Sequence, residues 1–182
     1  MNQEAELISR AKAGDHEALV ELLRSIENSV YRSAYYILGN EQDALDATQE
    51  ALIRVYRKID SYQERAKFST WVQRIVSNIC IDKFRSRKET ISIEQHELSI
   101  PDQHSVEEEI LYNGLTRDIE SAIQKLPEQY RMVVVFRYLR DMSYQEIADA
   151  LEIPLNTVKS YLFRARQQLQ QMLYDYQKGG IG

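Results

Sequence analysis

The stretch SYQEIADALEIPLNTVKSYLFRARQQL, Ser143 to Leu169, decides how the chain is read. Ser143 with Glu146 three residues on is a capping-box pattern: the hydroxyl accepts from an orphan amide while the carboxylate reaches back to the cap residue. A helix is expected to start there and bury Ile147, Ala148 and Leu151. It should end at Glu152-Ile153-Pro154, where the proline stops one helix and pre-sets the backbone for the next. In that second helix Val158, Leu162, Ala165, Leu169 and Met172 fall on one face. Asn156, Lys159, Ser160, Phe163, Arg164 and Gln167 fall on the other. One face packs and the other reads.

Composition bounds what surrounds this pair of helices. A chain of 182 residues can form one domain or two small ones. With 43% hydrophobic and 28% charged residues and only three prolines, a soluble and mostly helical protein is expected. No apolar run approaches membrane-spanning length. The start MNQEAELISR lacks the basic and apolar regions of a signal peptide, so the expected location is cytoplasmic. The single Cys80 excludes an internal disulfide framework and lines up with Val72, Ile75, Val76 and Ile79 as a core thiol. His16, His96 and His104 make no metal-ligand spacing with it, and neither a metal nor another cofactor is expected.

The net charge of −5 argues against a nucleic-acid partner until its distribution is considered. Residues 1–60 carry −4, 61–88 carry +5, 89–121 carry −8 and 122–182 carry +2. Two basic segments flank an acidic one. That pattern suits two phosphate-touching surfaces with a connector that avoids phosphate, or a chance alternation of solvated faces.

Ahead of the capped pair, Leu7, Ile8 and Ala11 indicate a first helix broken at Gly14. Asp15 can cap a second helix carrying Leu19, Leu22, Leu23, Ile26 and Val30 and stopping at Gly39-Asn40. A third, Glu41 to Ile59, is expected to bury Leu45, Leu52, Val55, Tyr56 and Ile59. Its opposite side holds Asp46, Gln49, Glu50, Ile53 and Arg54, where Ile53 is either a stray apolar residue or a protein-binding anchor. Asp60 to Lys67 should form a loop. A long helix then starts at Ser69 or nearby, with Val72, Ile75, Val76, Ile79 and Cys80 on its apolar face. Its other face is largely polar: Arg74, Ser77, Asn78, Ile81, Asp82 and Arg85. A basic helix end preceded by Phe68 and Trp71 could hold phosphates and stack on bases. Trp71 could equally be core, and the cations could simply complement the helix dipole. Glu89 to Glu109 is acidic and aperiodic, as in a linker. Helical periodicity resumes with Leu111, Leu115, Ile119 and Ile123, pauses at Leu126-Pro127, and continues through Val133 to Phe136 as a buried helix.

Taken together, DALDATQEALIRVYRKI, FSTWVQRIVSNICIDKFRSRK and LPEQYRMVVVFRYLRDMSYQEIADALEIPLNTVKSYLFRARQQL, in that order, resemble the bacterial sigma factors of the extracytoplasmic-function (ECF) group of the sigma-70 family. The resemblance covers nearly the whole chain. It implies an all-α protein with two small helical domains, sigma-2-like and sigma-4-like, joined by an acidic linker. Residues 1–88 would bind core RNA polymerase and recognise and melt the −10 element, 89–112 would link, 113–176 would read the −35 element, and 177–182 would be a tail. By the same resemblance, Asp46, Gln49, Glu50 and Ile53 would dock on core polymerase, which is engaged through its β′ clamp and β flap. Phe68, Trp71, Asn78, Lys83, Arg85, Arg87 and Lys88 would handle −10 DNA, with Asn78 and the 60–67 loop receiving a flipped base. Asn156, Lys159, Ser160, Phe163 and Arg164 would face the −35 groove. An anti-sigma factor is the further implied partner. The chain departs from the family at Asp43-Ala44-Leu45-Asp46, Ala47-Thr48, Asn156 and Tyr161.

Two other classes fit parts of the sequence. A helix-turn-helix regulator with an unrelated N-terminal domain accounts for the C-terminal half alone. A nuclease using Asp43, Asp46 and Glu50 as metal ligands lacks a nucleophile or base beside them.

Overall fold

A computed structural model describes residues 2–93 and 112–179. Its first half is set by caps and glycines, with Asp15 and the stop at Gly39-Asn40 at the expected places. Asn2 caps α1 (Gln3–Lys12), and Asp15 caps α2 (His16–Leu38), with its Oδ1 accepting from Ala18 N at 3.1 Å. Gly39 ends α2 in the left-handed region at φ +70, and the Asn40 side chain accepts from Asp43 N at 2.9 Å to open α3 (Glu41–Lys58). A 3-10 turn, Ile59–Ser61, and an irregular stretch lead to α4 (Phe68–Ile93). So α4 begins one residue before Ser69 and runs past position 88 into the expected linker. The remainder of that linker up to residue 111, with His96 and His104, lies outside the described residues, as do positions 180–182 of the expected tail.

The α2–α3 contact corrects one expectation. Ala44, Ala47, Thr48, Ala51 and Val55 are the buried residues of α3, and their small side chains let the two helices approach closely. The buried face is therefore rotated from the expected one. Val55 and Ile59 are core as expected and Leu52 is half-buried, but Leu45 is 44% and Tyr56 49% exposed. On α4 the expected apolar face holds: Val72, Ile75, Val76, Ile79 and Cys80 are all buried. Desolvation pushes the Cys80 thiol up to about 12, so it stays protonated and is packing material.

The second half is α5 (Tyr112–Lys125), α6 (Glu128–Val134), a π-helical turn Val135–Leu139, α7 (Tyr144–Leu151) and α8 (Leu155–Gly179). Pro127 opens α6, its carbonyl accepting from Tyr130 N and Arg131 N. Val133 to Phe136 are buried within helical turns, as expected. Ile123, Leu126, Tyr130, Val134 and Ala165 make a local cluster, whereas Val133, Phe136, Ile147, Val158 and Leu162 join the core of the first half.

Each half also caps a helix of the other. Arg131 Nη1 donates to Ile37 O at 2.6 Å and Gln124 Nε2 to Tyr36 O at 2.6 Å, at the C-terminal end of α2. Tyr36 returns a bond from its hydroxyl to Glu120 at 2.9 Å. In the opposite sense, Arg74 donates from Nε and Nη2 to Asp149 O at 3.1 and 2.6 Å, and Ser77 Oγ lies 3.5 Å from Ala150 O, at the end of α7. Ser77, expected on the polar face, is thus fully buried. None of the described helices is long and apolar enough to cross a membrane.

Gly39 lies where these demands meet, because an added Cβ would run into the Gln124 amide as well as strain a left-handed backbone. Gly39→Ala is expected to lower stability by about 1–2 kcal/mol, read as a reduced urea midpoint at unchanged slope. An unchanged midpoint would contradict this account of the α2 terminus.

Candidate nucleic-acid interface

The paired helices at the C-terminal end form as their sequence dictates. Glu146 N donates to Ser143 Oγ at 3.1 Å and Ser143 N donates to Glu146 Oε2 at 2.7 Å, a complete capping box. Glu152 closes α7 in the left-handed region at φ 55, and Pro154 O accepts from Thr157 N and Val158 N to start α8. Burial of Val158, Leu162 and Ala165 consumes the apolar face of α8, with Leu169 and Met172 half-buried along it. Asn156, Lys159, Ser160, Phe163, Arg164 and Gln167 are consequently all exposed, Phe163 at 61%. A planar aromatic together with amide, ammonium, hydroxyl and guanidinium groups on one helix face suits a base-edge surface.

Arginine–tyrosine contacts flank this face, and the sequence reading missed them. Arg164 Nη1 donates to the Tyr130 hydroxyl at 3.4 Å, and Tyr130 packs on Tyr161 with ring centroids 5.3 Å apart. Arg166 donates from Nε to the Tyr138 hydroxyl at 2.6 Å and from Nη2 to the Tyr144 hydroxyl at 3.2 Å. Arg137 lies 5.4 Å from the Tyr144 ring centroid. The bond from Arg166 holds the Tyr144 phenol below its usual range and raises Arg166 itself. These cations are held by neutral oxygens, so their charge is not cancelled and remains available to a phosphate. Their partners lie 28 and 22 residues away in sequence, beyond any local pattern.

On α4 the expected residues divide. Asn78 is exposed, Trp71 and Lys83 are half-buried, and Arg85 and Lys88 are exposed, with Lys88 3.4 Å from Glu128. Phe68 is only 2% exposed. It does not reach a surface, because Tyr62 and Trp71 close over it with centroids 5.4 and 5.8 Å away. Arg87 is engaged within the fold, bonded to Asp43 and to Leu38 O. The 60–67 segment lies beside this aromatic group, with Gln63, Glu64 and Arg65 exposed. Lys67 Nζ pairs at 2.7 Å with Glu146, the capping carboxylate of α7.

The α3 surface is a third element. Asp46, Gln49 and Ile53 are exposed, Ile53 at 49%, and Glu50 is half-buried and paired with Arg54. Leu45 and Tyr56 project on the same side, so Leu45, Gln49, Ile53 and Tyr56 make one stripe at helical spacing. The run of small residues at 44, 47, 48 and 51 was the sequence signal that this side faces outward. A row of large apolar side chains rimmed by acids has the composition that protein-contact surfaces use.

Two family models match these regions: Sigma-70 region 2 over residues 17–90 and Sigma-70 region 4 over residues 116–169. The chain is 34% identical over 178 residues to the ECF RNA polymerase sigma factor SigW of Bacillus subtilis, covering 92% of this chain and 95% of that one. It is 36% identical over 166 residues to the ECF RNA polymerase sigma factor SigE of Mycolicibacterium smegmatis, covering 88% of this chain and 64% of that relative. The fold is shared with CnrH, solved with the cytosolic domain of CnrY, at a TM-score of 0.71 and 22% identity over 96% of this chain and 99% of that one. It is also shared with RpoE of Bartonella quintana, solved with the anti-sigma factor NepR, at 0.69 and 21% over 85% and 95%.

The capping box sets a pH signature for this region. The bond from Lys67, then the amide of Ser143, holds the Glu146 carboxyl below its usual range, so its contribution is present above the unfolded value and fades as pH falls through the folded one. Glu146→Gln should lower the thermal midpoint at neutral pH, where it removes the charge that Lys67 and the Ser143 amide hold, and that deficit should shrink under acid conditions, where the wild-type carboxyl is also neutral. An identical deficit at every pH would contradict the assignment.

Proposed function

This chain belongs to the ECF group of the sigma-70 family, and we propose that its three exposed surfaces divide the work of a promoter-specificity factor. As a member of that family it directs core RNA polymerase to promoters, recognising −35 and −10 elements and helping to open the DNA. Residues 1–88 carry the −10 and polymerase-binding functions, 89–112 the connection and 113–176 the −35 function. The α8 face of Asn156, Lys159, Ser160, Phe163 and Arg164 reads the −35 major groove. Asn78, with the 60–67 segment and Trp71, receives a base from the opened −10 strand, while Lys83, Arg85 and Lys88 hold its phosphates. Phe68 and Arg87 serve by holding the shape of this region. The α3 stripe around Ile53, bordered by Asp46, Gln49 and Glu50, docks on the polymerase clamp.

One observation carries this reading. A region 2 match and a region 4 match lie in one chain, and each offers a solvent-facing polar surface beside basic side chains, as a bipartite reader needs. A regulator with an unrelated N-terminal domain leaves the region 2 match without a role. The chain catalyses no step: polymerase makes the RNA, and sigma factors in general are not enzymes. Its site of action is therefore the cytoplasm, where polymerase is. Each of the two solved neighbours is accompanied by a second chain, which for the sigma factor RpoE is the anti-sigma factor NepR, and a partner of that kind is proposed for this chain too.

Base contacts and phosphate contacts have different signatures. A good base contact supplies about 1–3 kcal/mol of discrimination, whereas a phosphate contact sets overall affinity and its salt slope. In run-off transcription with purified core polymerase, Arg164→Ala or Lys159→Ala should reduce the preference for the cognate −35 sequence over a scrambled one by about tenfold or more. Lys88→Ala should instead weaken all promoters alike and flatten the salt dependence. Unchanged preference in both α8 variants would sink the −35 assignment. Separately, Ile53→Asp should abolish co-purification with core polymerase while leaving the unfolding midpoint unchanged, since Ile53 is surface-exposed; retained binding would remove α3 from the docking surface.

A further inference from the structure

Helix α1 has no part in the surfaces above, yet its last residue reaches one of them. Leu7, Ile8 and Ala11 anchor α1 in the core, which leaves Lys12 at its C-terminal end, where a cation is favoured by the helix dipole. The side chain does not extend into solvent. Its Nζ donates to Tyr62 O at 2.9 Å, a residue 50 positions away, approaches Glu64 Oε1 at 3.3 Å, and lies 5.9 Å from the centroid of the Tyr62 ring.

Those three contacts fall at the start of the 62–67 segment, which has no regular secondary structure to fix its shape. Tyr62 supplies the second fixing point. Its ring is buried against Phe68 and Trp71, and its hydroxyl donates to Ala66 O at 2.7 Å, tying the far side of the segment back to the near side. Between the two ties, Gln63, Glu64 and Arg65 project outward, and Glu64 is held in the left-handed region at φ 59. A non-glycine residue there costs energy that the surrounding contacts must offset, and the bond from Lys12 to the Glu64 carboxylate is such a contact. Remove the ammonium, and Tyr62 O loses its donor, Glu64 its counter-charge and the ring its cation.

We propose that Lys12 is a positioning residue for promoter opening: from the end of α1 it braces the 62–67 segment in the shape that accepts the flipped −10 base. The proposal rests on the reading of that segment and Asn78 as the base receiver. Lys12 touches no DNA in this account; it acts through Tyr62 and Glu64. Pocket shape decides which base is accepted, so the loss should appear as lost discrimination and not merely as lost activity.

The test uses holoenzyme assembled from full-length chain and core polymerase, on templates bearing each of the four bases at the captured −10 position, both as duplexes and with the −10 region pre-melted. Lys12→Met, which keeps the aliphatic stem, should lower open-complex formation on the best duplex by about three- to tenfold, the scale of one net intramolecular hydrogen bond. It should also level the preference among the four bases. Pre-melting should restore the rate but not the preference, and Lys12→Arg should recover much of both. Binding to core polymerase and to a −35 duplex should not change. If Lys12→Met lowers rates on all four templates equally and keeps the wild-type preference, Lys12 is only a stabilising residue and the proposal fails. Asn78→Ala is the control for the underlying reading: if it too keeps the preference, the base receiver lies elsewhere, whereas a levelled preference in Asn78→Ala alone refutes the role of Lys12 and leaves the receiver intact.

Discussion

The carbonyls at the C-terminal ends of α2 and α7 are what the two halves of the chain hold each other by. A helix end leaves its last four carbonyls without partners and carries the negative pole of the helix dipole, so a guanidinium satisfies both needs at once. Arg131 and Gln124 reach from the second half to the end of α2, and Arg74 and Ser77 reach from the first half to the end of α7. Arg131 is buried enough that desolvation lowers its pKa, and it offsets that cost with bonds to Gln124 O and Leu126 O in its own half. Packing of Val133, Phe136, Ile147 and Val158 into the shared core is possible because these polar ends are already satisfied.

From that arrangement the exposed surfaces follow. The apolar faces of α4 and α8 are consumed by the core, which turns Asn78 on one helix and Lys159, Phe163 and Arg164 on the other toward solvent. Small residues bring α3 close to α2, and closeness on that side forces Leu45, Ile53 and Tyr56 outward on the opposite side. Function lives on what packing leaves over. The arginines of α8 fit this logic, since tyrosine oxygens orient Arg164 and Arg166 without neutralising them.

Local signals in the sequence carried far. Asp15, Asn40 and Gly39 act at helix ends through contacts within a few residues, and the Ser143–Glu146 box is local as well, which is why these boundaries were readable. The faces of α8 were readable for the same reason. What escaped depends on distant partners. Leu45 and Tyr56 were expected to be core because large apolar residues usually are, but the neighbour of α3 prefers the alanine side. Phe68 was expected near DNA, yet Tyr62 and Trp71 enclose it. Arg87 belongs to Asp43 and the end of α2, a pairing 44 residues long. No periodicity reports that Tyr138 and Tyr144 converge on Arg166, or that Lys12 reaches Tyr62.

The central claim is that α4 and α8 read two different promoter elements in the same complex. Photo-crosslinking measures this most directly, with a photoreactive phenylalanine analogue placed at position 78 or at position 163 of the full chain in holoenzyme on promoter DNA. The account predicts that position 163 crosslinks to the −35 duplex and position 78 to the non-template strand of the −10 element. Crosslinks from both positions to one element, or from position 78 only to double-stranded DNA upstream, would contradict it.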